Sequence, residues 1–128
     1  MTRGAILFAL AIAGCVADGQ SNLPAMRVDF AFAPSDRCGT TSPVIRVEDA
    51  PAAVRRFSVN MTDLDAPAFV HGGGRVDRPA DGVIPAGALQ NYRGPCPPTR
   101  HTYRITVTGL DANGTSVAAG QAQRPFPP

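Results

Sequence analysis

Tyr103-Arg104-Ile105-Thr106-Val107-Thr108-Gly109 alternates apolar and polar side chains without a break, and its reading decides the fold class. Successive side chains of an extended chain point to opposite faces, so a period of two over this length describes a strand with one buried face. The flanking sequence repeats the pattern in shorter pieces. Asp111-Ala112-Asn113-Gly114 carries an Asn-Gly pair that suits a tight hairpin, and Val117 to Gln123 returns as the last strand before Pro125. Upstream, Phe57, Val59 and Met61 alternate in a strand that starts near Arg56. Val28, Phe30 and Phe32 define another, Val44 to Val47 a short one, and Val83-Ile84 a brief one. Val70 opens a further segment, but Gly72-Gly73-Gly74 weakens it as a strand, and a flexible loop is expected there. Ala86 to Asn91 has room for one helical turn at most. There is no long amphipathic helix, internal repeat or heptad. Short strands separated by turn residues predict a mainly β chain, folded as an antiparallel β-sandwich with little helix.

Two of these strands end in ionisable groups on their apolar face. Asp63 and Asp65 lie in line with Phe57, Val59 and Met61, and His101 and Tyr103 with Ile105 and Val107. Charged side chains on a buried face are costly unless paired or hydrogen-bonded. Two acids and a histidine in such places point to a pocket at one rim of the sandwich. Taken alone, Asp-x-Asp-x-Pro is also ordinary turn chemistry.

A chain of 128 residues makes one domain. Its 12 basic residues are all arginine, which reads first as the mark of a G+C-rich genome, and the net charge is only +2. That balance offers no electrostatic case for nucleic acid or for a strongly acidic partner.

Arg3 precedes an apolar run from Ala5 to Ala13 that is too short to span a bilayer and closes in Ile12-Ala13-Gly14-Cys15. This is the pattern of a bacterial lipobox, with residues 1–14 as signal peptide and Cys15 as the acylated N-terminus. The alternative is an ordinary secretory leader cut after Ala17. In both cases the domain is exported, to the periplasmic side of the cell envelope if lipid-anchored. Residues 15–24 are polar enough to serve as a tether, which leaves 25–128 as the folded domain. Cys38 and Cys96 then remain as an even pair in an oxidising compartment, and a disulfide between them is the simplest expectation. The competing use of Cys96 as a nucleophile with His101 as base fits poorly with export and with the flanking prolines.

Several motifs follow in order: Asp63-Leu64-Asp65-Ala66-Pro67, then His71, then Gly94-Pro95-Cys96-Pro97-Pro98, then His101-Thr102-Tyr103. In this the chain resembles the phosphatidylethanolamine-binding proteins, in particular their bacterial Raf-kinase-inhibitor-like branch, with D-P-D-A-P, a histidine, G-P-x-P-P and H-x-Y. Cys38-Gly39-Thr40-Thr41-Ser42-Pro43 matches the family's C-x-G-x-x-S-P segment. The resemblance implies a β-sandwich with a small anion-binding cavity for phosphate-like headgroups. It carries that role onto Asp63, Asp65, His71, Gly94, Pro95, His101 and Tyr103. Imidazole donors and backbone N–H groups near Gly94 would hold phosphoryl oxygens, and Tyr103 would add a hydroxyl. The two aspartates would orient histidine, satisfy backbone donors or meet an ammonium group.

The chain departs from the family pattern in places. Leu64 stands for the usual proline, Gly72 for the tryptophan expected after the histidine, and only Thr99 and Arg100 separate Pro98 from His101. These trims predict a more open pocket. The resulting expectation is a non-enzymatic, exported binding protein with a small anionic or phosphate-bearing ligand and no cofactor or metal. Two other readings compete with it: an inhibitor or regulator of an envelope protein partner, and a metal-dependent hydrolase using Asp63, Asp65, His71 and His101.

Overall fold

The computed structural model describes residues 22–128. The expected signal peptide, Cys15 and most of the tether lie outside the described residues. Seven strands follow in chain order: β1 (Arg27–Phe30), β2 (Ile45–Glu48), β3 (Arg56–Asp63), β4 (Val70–Asp77), β5 (Val83–Ile84), β6 (His101–Leu110) and β7 (Ser116–Phe126). A single 3-10 turn at Pro34–Asp36 is the only helical element among the described residues. The strands form two antiparallel sheets, one in the order β1-β2-β5 and the other in the order β4-β3-β6-β7.

The period-two reading of β3 and β6 holds residue by residue. Phe57, Val59, Met61, Tyr103, Ile105 and Val107 are all buried, and Val59 faces Val107 across the pair while Met61 faces Ile105. Removing such side chains from water is worth about 1.5 to 3 kcal/mol apiece. Phe30, Ile45, Val47 and Ile84 close the core from the smaller sheet. Phe32 ties the layers together, with its ring edge-on to Phe30, Tyr103 and Phe126 at centroid distances of 5.2, 5.8 and 5.6 Å.

Two expectations need correction. The glycine run forms no loop: Gly72, Gly73 and Gly74 lie inside β4. Their reason is close approach of another backbone. Gly73 exchanges both main-chain hydrogen bonds with Asn91, and the Arg93 amide donates to the His71 carbonyl. A Cβ on Gly72 would stand 1.9 Å from the Asn91 carbonyl oxygen, in a backbone held at φ +70°. The last strand also runs on through Pro125, which pairs with Thr102. β7 is an edge strand, where a residue without an N–H breaks no ladder.

The β6–β7 hairpin closes as expected around Asn113-Gly114. The Asp111 carboxylate accepts the amides of Asn113 and Thr115, and Gly114 takes the left-handed conformation at φ +78°. Cys38 and Cys96 are joined, 58 residues apart in sequence. The Pro24 carbonyl, placed in the tether by the sequence, accepts the Ala119 amide of β7.

Gly72 and Gly114 share a left-handed backbone, but nothing lies within 4 Å of a Cβ on Gly114. Gly114→Ala should therefore cost about 1 to 2 kcal/mol, and Gly72→Ala at least about twice as much, measured by urea unfolding. Equal losses would show that the Asn91 segment does not press on β4. For the disulfide, the Cys38→Ser/Cys96→Ser double variant should lose about 4 kcal/mol, the chain-entropy value for a loop of this length. An unchanged urea midpoint would contradict that.

Candidate functional site

β3 and β6 deliver their polar ends to the same corner. Asp63 pairs with Tyr103 across the strands, and one of its oxygens, Oδ2, accepts a hydrogen bond from His101 Nδ1 at 2.7 Å. Its other oxygen accepts the amides of Asp65 and Ala66 at 2.9 and 3.1 Å. The carboxylate thus folds the start of the β3–β4 loop around itself. Asp65 extends the tie, accepting the Thr102 amide at 2.7 Å. Of the two acids only Asp63 is buried; Asp65, beyond the end of the strand, is exposed.

His71 arrives from β4 and is buried. Its Nδ1 donates to the Arg93 carbonyl at 2.8 Å. Both histidines therefore have Nδ1 committed to an oxygen acceptor, which fixes their tautomer and leaves Nε2 as the remaining nitrogen on each. The Tyr103 ring stands between them, edge-on to His71 at 5.3 Å and roughly parallel to His101 at 6.4 Å. His71, His101, Tyr103 and Asp63 line one cavity of about 150 Å³, walled otherwise by Ala66, Phe69, Cys96, Pro97 and Pro98.

Protonation states follow from these surroundings. Burial alone would raise the Asp63 carboxyl, but the His101 hydrogen bond, the Asp65 and Ala66 amides and the charge of His101 together hold it below the usual carboxylate range. Tyr103 is pushed well above the usual phenol range by burial first and by the Asp63 carboxylate second, so it stays a neutral donor.

Four of the seven residues expected at the site line this cavity, Asp63, His71, His101 and Tyr103, and Asp65 is tied beside it through the Thr102 amide. Gly94 and Pro95 do not reach the histidine cavity. Gly94 borders a larger cavity alongside it, and its amide, expected to hold phosphoryl oxygens, donates to the Gly39 carbonyl at 2.7 Å. A Cβ there would stand 2.8 Å from two carbonyl oxygens, so glycine is required by packing. Pro95 is fully buried, and its carbonyl accepts the Cys38 amide. Sequence reasoning missed Phe69, whose ring lies 4.6 Å from that of His71, and Arg37, which holds the proline wall by donating to the Pro97 carbonyl. Neither belongs to an alternating segment, so no periodic signal exposes it.

Oxygen and nitrogen atoms of Asp63, Asp65 and His101 lie within 4.8 Å of one another, a spacing that could hold a metal ion. His71 is not part of that group. Both Asp63 oxygens and one oxygen of Asp65 already accept hydrogen bonds. A cation would compete with them for the carboxylate lone pairs.

The profile of the family described as phosphatidylethanolamine-binding protein matches residues 16–124. The chain belongs to the phosphatidylethanolamine-binding protein family. No curated protein matches it significantly. Among solved structures, its fold is similar to that of Escherichia coli YbcL, described as a new member of the mammalian PEBP family. The TM-score is 0.61 with 18% identity, over 79% of this chain and 97% of that one. At that identity the likeness concerns the fold alone.

The Asp63–His101 pair makes a pH-dependent contribution to stability that this geometry predicts. A carboxyl depressed in the folded state stabilises above its unfolded value, about 3.9, and the gain is lost as pH falls through the lower folded value. Asp63→Asn should therefore lose about 1 to 3 kcal/mol at neutral pH, with the gap to the parent closing as pH drops below about 4. Urea unfolding at a series of pH values measures it, and a gap that stays constant into acid would rule out the pair as its source.

Proposed function

We propose that this family member is an exported, non-enzymatic binding protein, held to a membrane through lipid on Cys15, whose histidine cavity takes a small anionic, phosphate-like group. The observation that supports it is the convergence of two imidazoles, each with Nδ1 engaged by the protein, on one small cavity beside a buried neutral phenol. A volume of about 150 Å³ suits a group of phosphate size, with any larger substituent left outside. The aromatic and proline walls reduce competition from water and strengthen each hydrogen bond made inside.

The fixed tautomer has a consequence for the ligand's protons. A neutral imidazole that donates through Nδ1 offers only a lone pair at Nε2, so an oxyanion needs the second proton on the ring or must bring one itself. Binding is then coupled to proton uptake. At His101 the ring is held for this by its Nδ1 bond to the Asp63 carboxylate.

Titration with inorganic phosphate and with phosphoethanolamine, followed by amide NMR shifts, tests the reading. Saturable shifts are expected around His71, His101 and Tyr103. Affinity should fall as pH rises, because Nε2 donates to an oxyanion only while it carries a proton. His101→Ala should weaken binding about tenfold or more, the share of one charge-assisted hydrogen bond. Undiminished binding in that variant would refute the assignment. The lipid on Cys15 has its own test: radiolabelled palmitate should be incorporated by the parent and not by Cys15→Ala.

A further inference from the structure

The larger cavity beside the histidines has a volume of about 550 Å³ and shares Phe69 and Cys96 with the smaller one. Ligand sites of small molecules and short segments fall in this range. Its walls are held from behind by main-chain bonds. The Gly94 amide donates to Gly39, the Cys38 amide donates to Pro95, and the Cys38–Cys96 disulfide closes that side. On the other side Asn91 and Arg93 turn their main-chain groups toward β4, where they bond to Gly73 and His71. A cavity built this way is formed before any ligand arrives.

One of its features is unused by the fold. The guanidinium of Arg93 is exposed and has no acid partner among the described residues, although the backbone of the same residue is fixed at both its amide and its carbonyl. Gln90 and Asn91 add neutral amides to the lining.

We infer that this larger cavity is a second binding subsite, which takes a carboxylate-bearing ligand on Arg93. The guanidinium fork suits a carboxylate, the exposed amides of Gln90 and Asn91 add donors and acceptors beside it, and Phe69 offers an apolar wall for a flanking group. The subsite stands on these residues whether or not the histidine cavity holds a phosphate-like group.

The experiment is an amide NMR titration of the exported domain with acetyl-Ala-Glu-Ala-amide, its Gln counterpart and inorganic phosphate. The glutamate peptide should produce saturable shifts at Gly39, Tyr92, Arg93 and Gly94, with the Gln peptide binding about tenfold more weakly. Arg93→Gln should remove the same factor while its spectrum in the absence of peptide stays that of the folded parent, since its exposed side chain makes no hydrogen bond or salt bridge among the described residues. Phosphate reports separately on His71, His101 and Tyr103, so loss of that response would bear on the histidine cavity alone. Absence of saturable shifts with the glutamate peptide, equal binding of the Gln peptide, or full affinity in Arg93→Gln would each overturn the subsite. Glutamate-dependent binding lost in Arg93→Gln would establish it.

Discussion

A carboxylate on a core-facing position sets the terms for the rest of this molecule. Asp63 continues the buried face of β3, and a charge there is tolerable only if its lone pairs are taken. They are taken by His101 Nδ1 and by the amides of Asp65 and Ala66. These bonds fasten the end of β3 to the start of β6 and fold the beginning of the β3–β4 loop around the carboxylate. The charge is thus both the liability of the site and its fastening. Removing its partners would leave a buried anion, a state far less stable than an apolar replacement of the whole pair.

Around that corner the polypeptide is held mainly by backbone and by covalent ties. The segment from Asn91 to Pro97 carries no regular secondary structure, yet it is bonded to β4 on one side and to Cys38 and Gly39 on the other. The disulfide and the Arg37 bond to the Pro97 carbonyl complete the clamp. Beneath it, the edge-on contacts of Phe32 with Phe30, Tyr103 and Phe126 transmit the rigidity of the core to the cavity floor. Rigid walls and a fixed histidine tautomer suit recognition, because little order has to be created when a ligand enters.

Much of this was legible in the linear sequence because strand periodicity is local. The alternation of Phe57, Val59 and Met61 and of Tyr103, Ile105 and Val107 identified both central strands and the face on which Asp63 falls. The Asn113-Gly114 hairpin was readable for the same reason, since a turn is written in adjacent residues. The glycine run misled because its cause is remote: Gly72 is required by the carbonyl of Asn91, nineteen positions away in a segment without periodicity. Pro125 misled because its tolerance depends on β7 being an edge strand, a property of sheet order and not of the residue. Phe69 and Arg37 left no trace, since a lone aromatic or arginine in a loop acquires meaning only from its neighbours in space.

What the sequence by itself determined is the mainly β architecture, the two central strands and the chemical types gathered at their ends, because side-chain alternation and turn preference act between near neighbours. Tertiary structure alone decided which of those residues share a cavity. It brought His71 to His101, sent Gly94 and Pro95 into a supporting wall and opened a second, larger hollow beside the first. The physical reason is that a cavity is the space left over when distant backbone segments pack. Its shape depends on the closeness of approach at places such as Gly39 and Gly94, which no local pattern encodes.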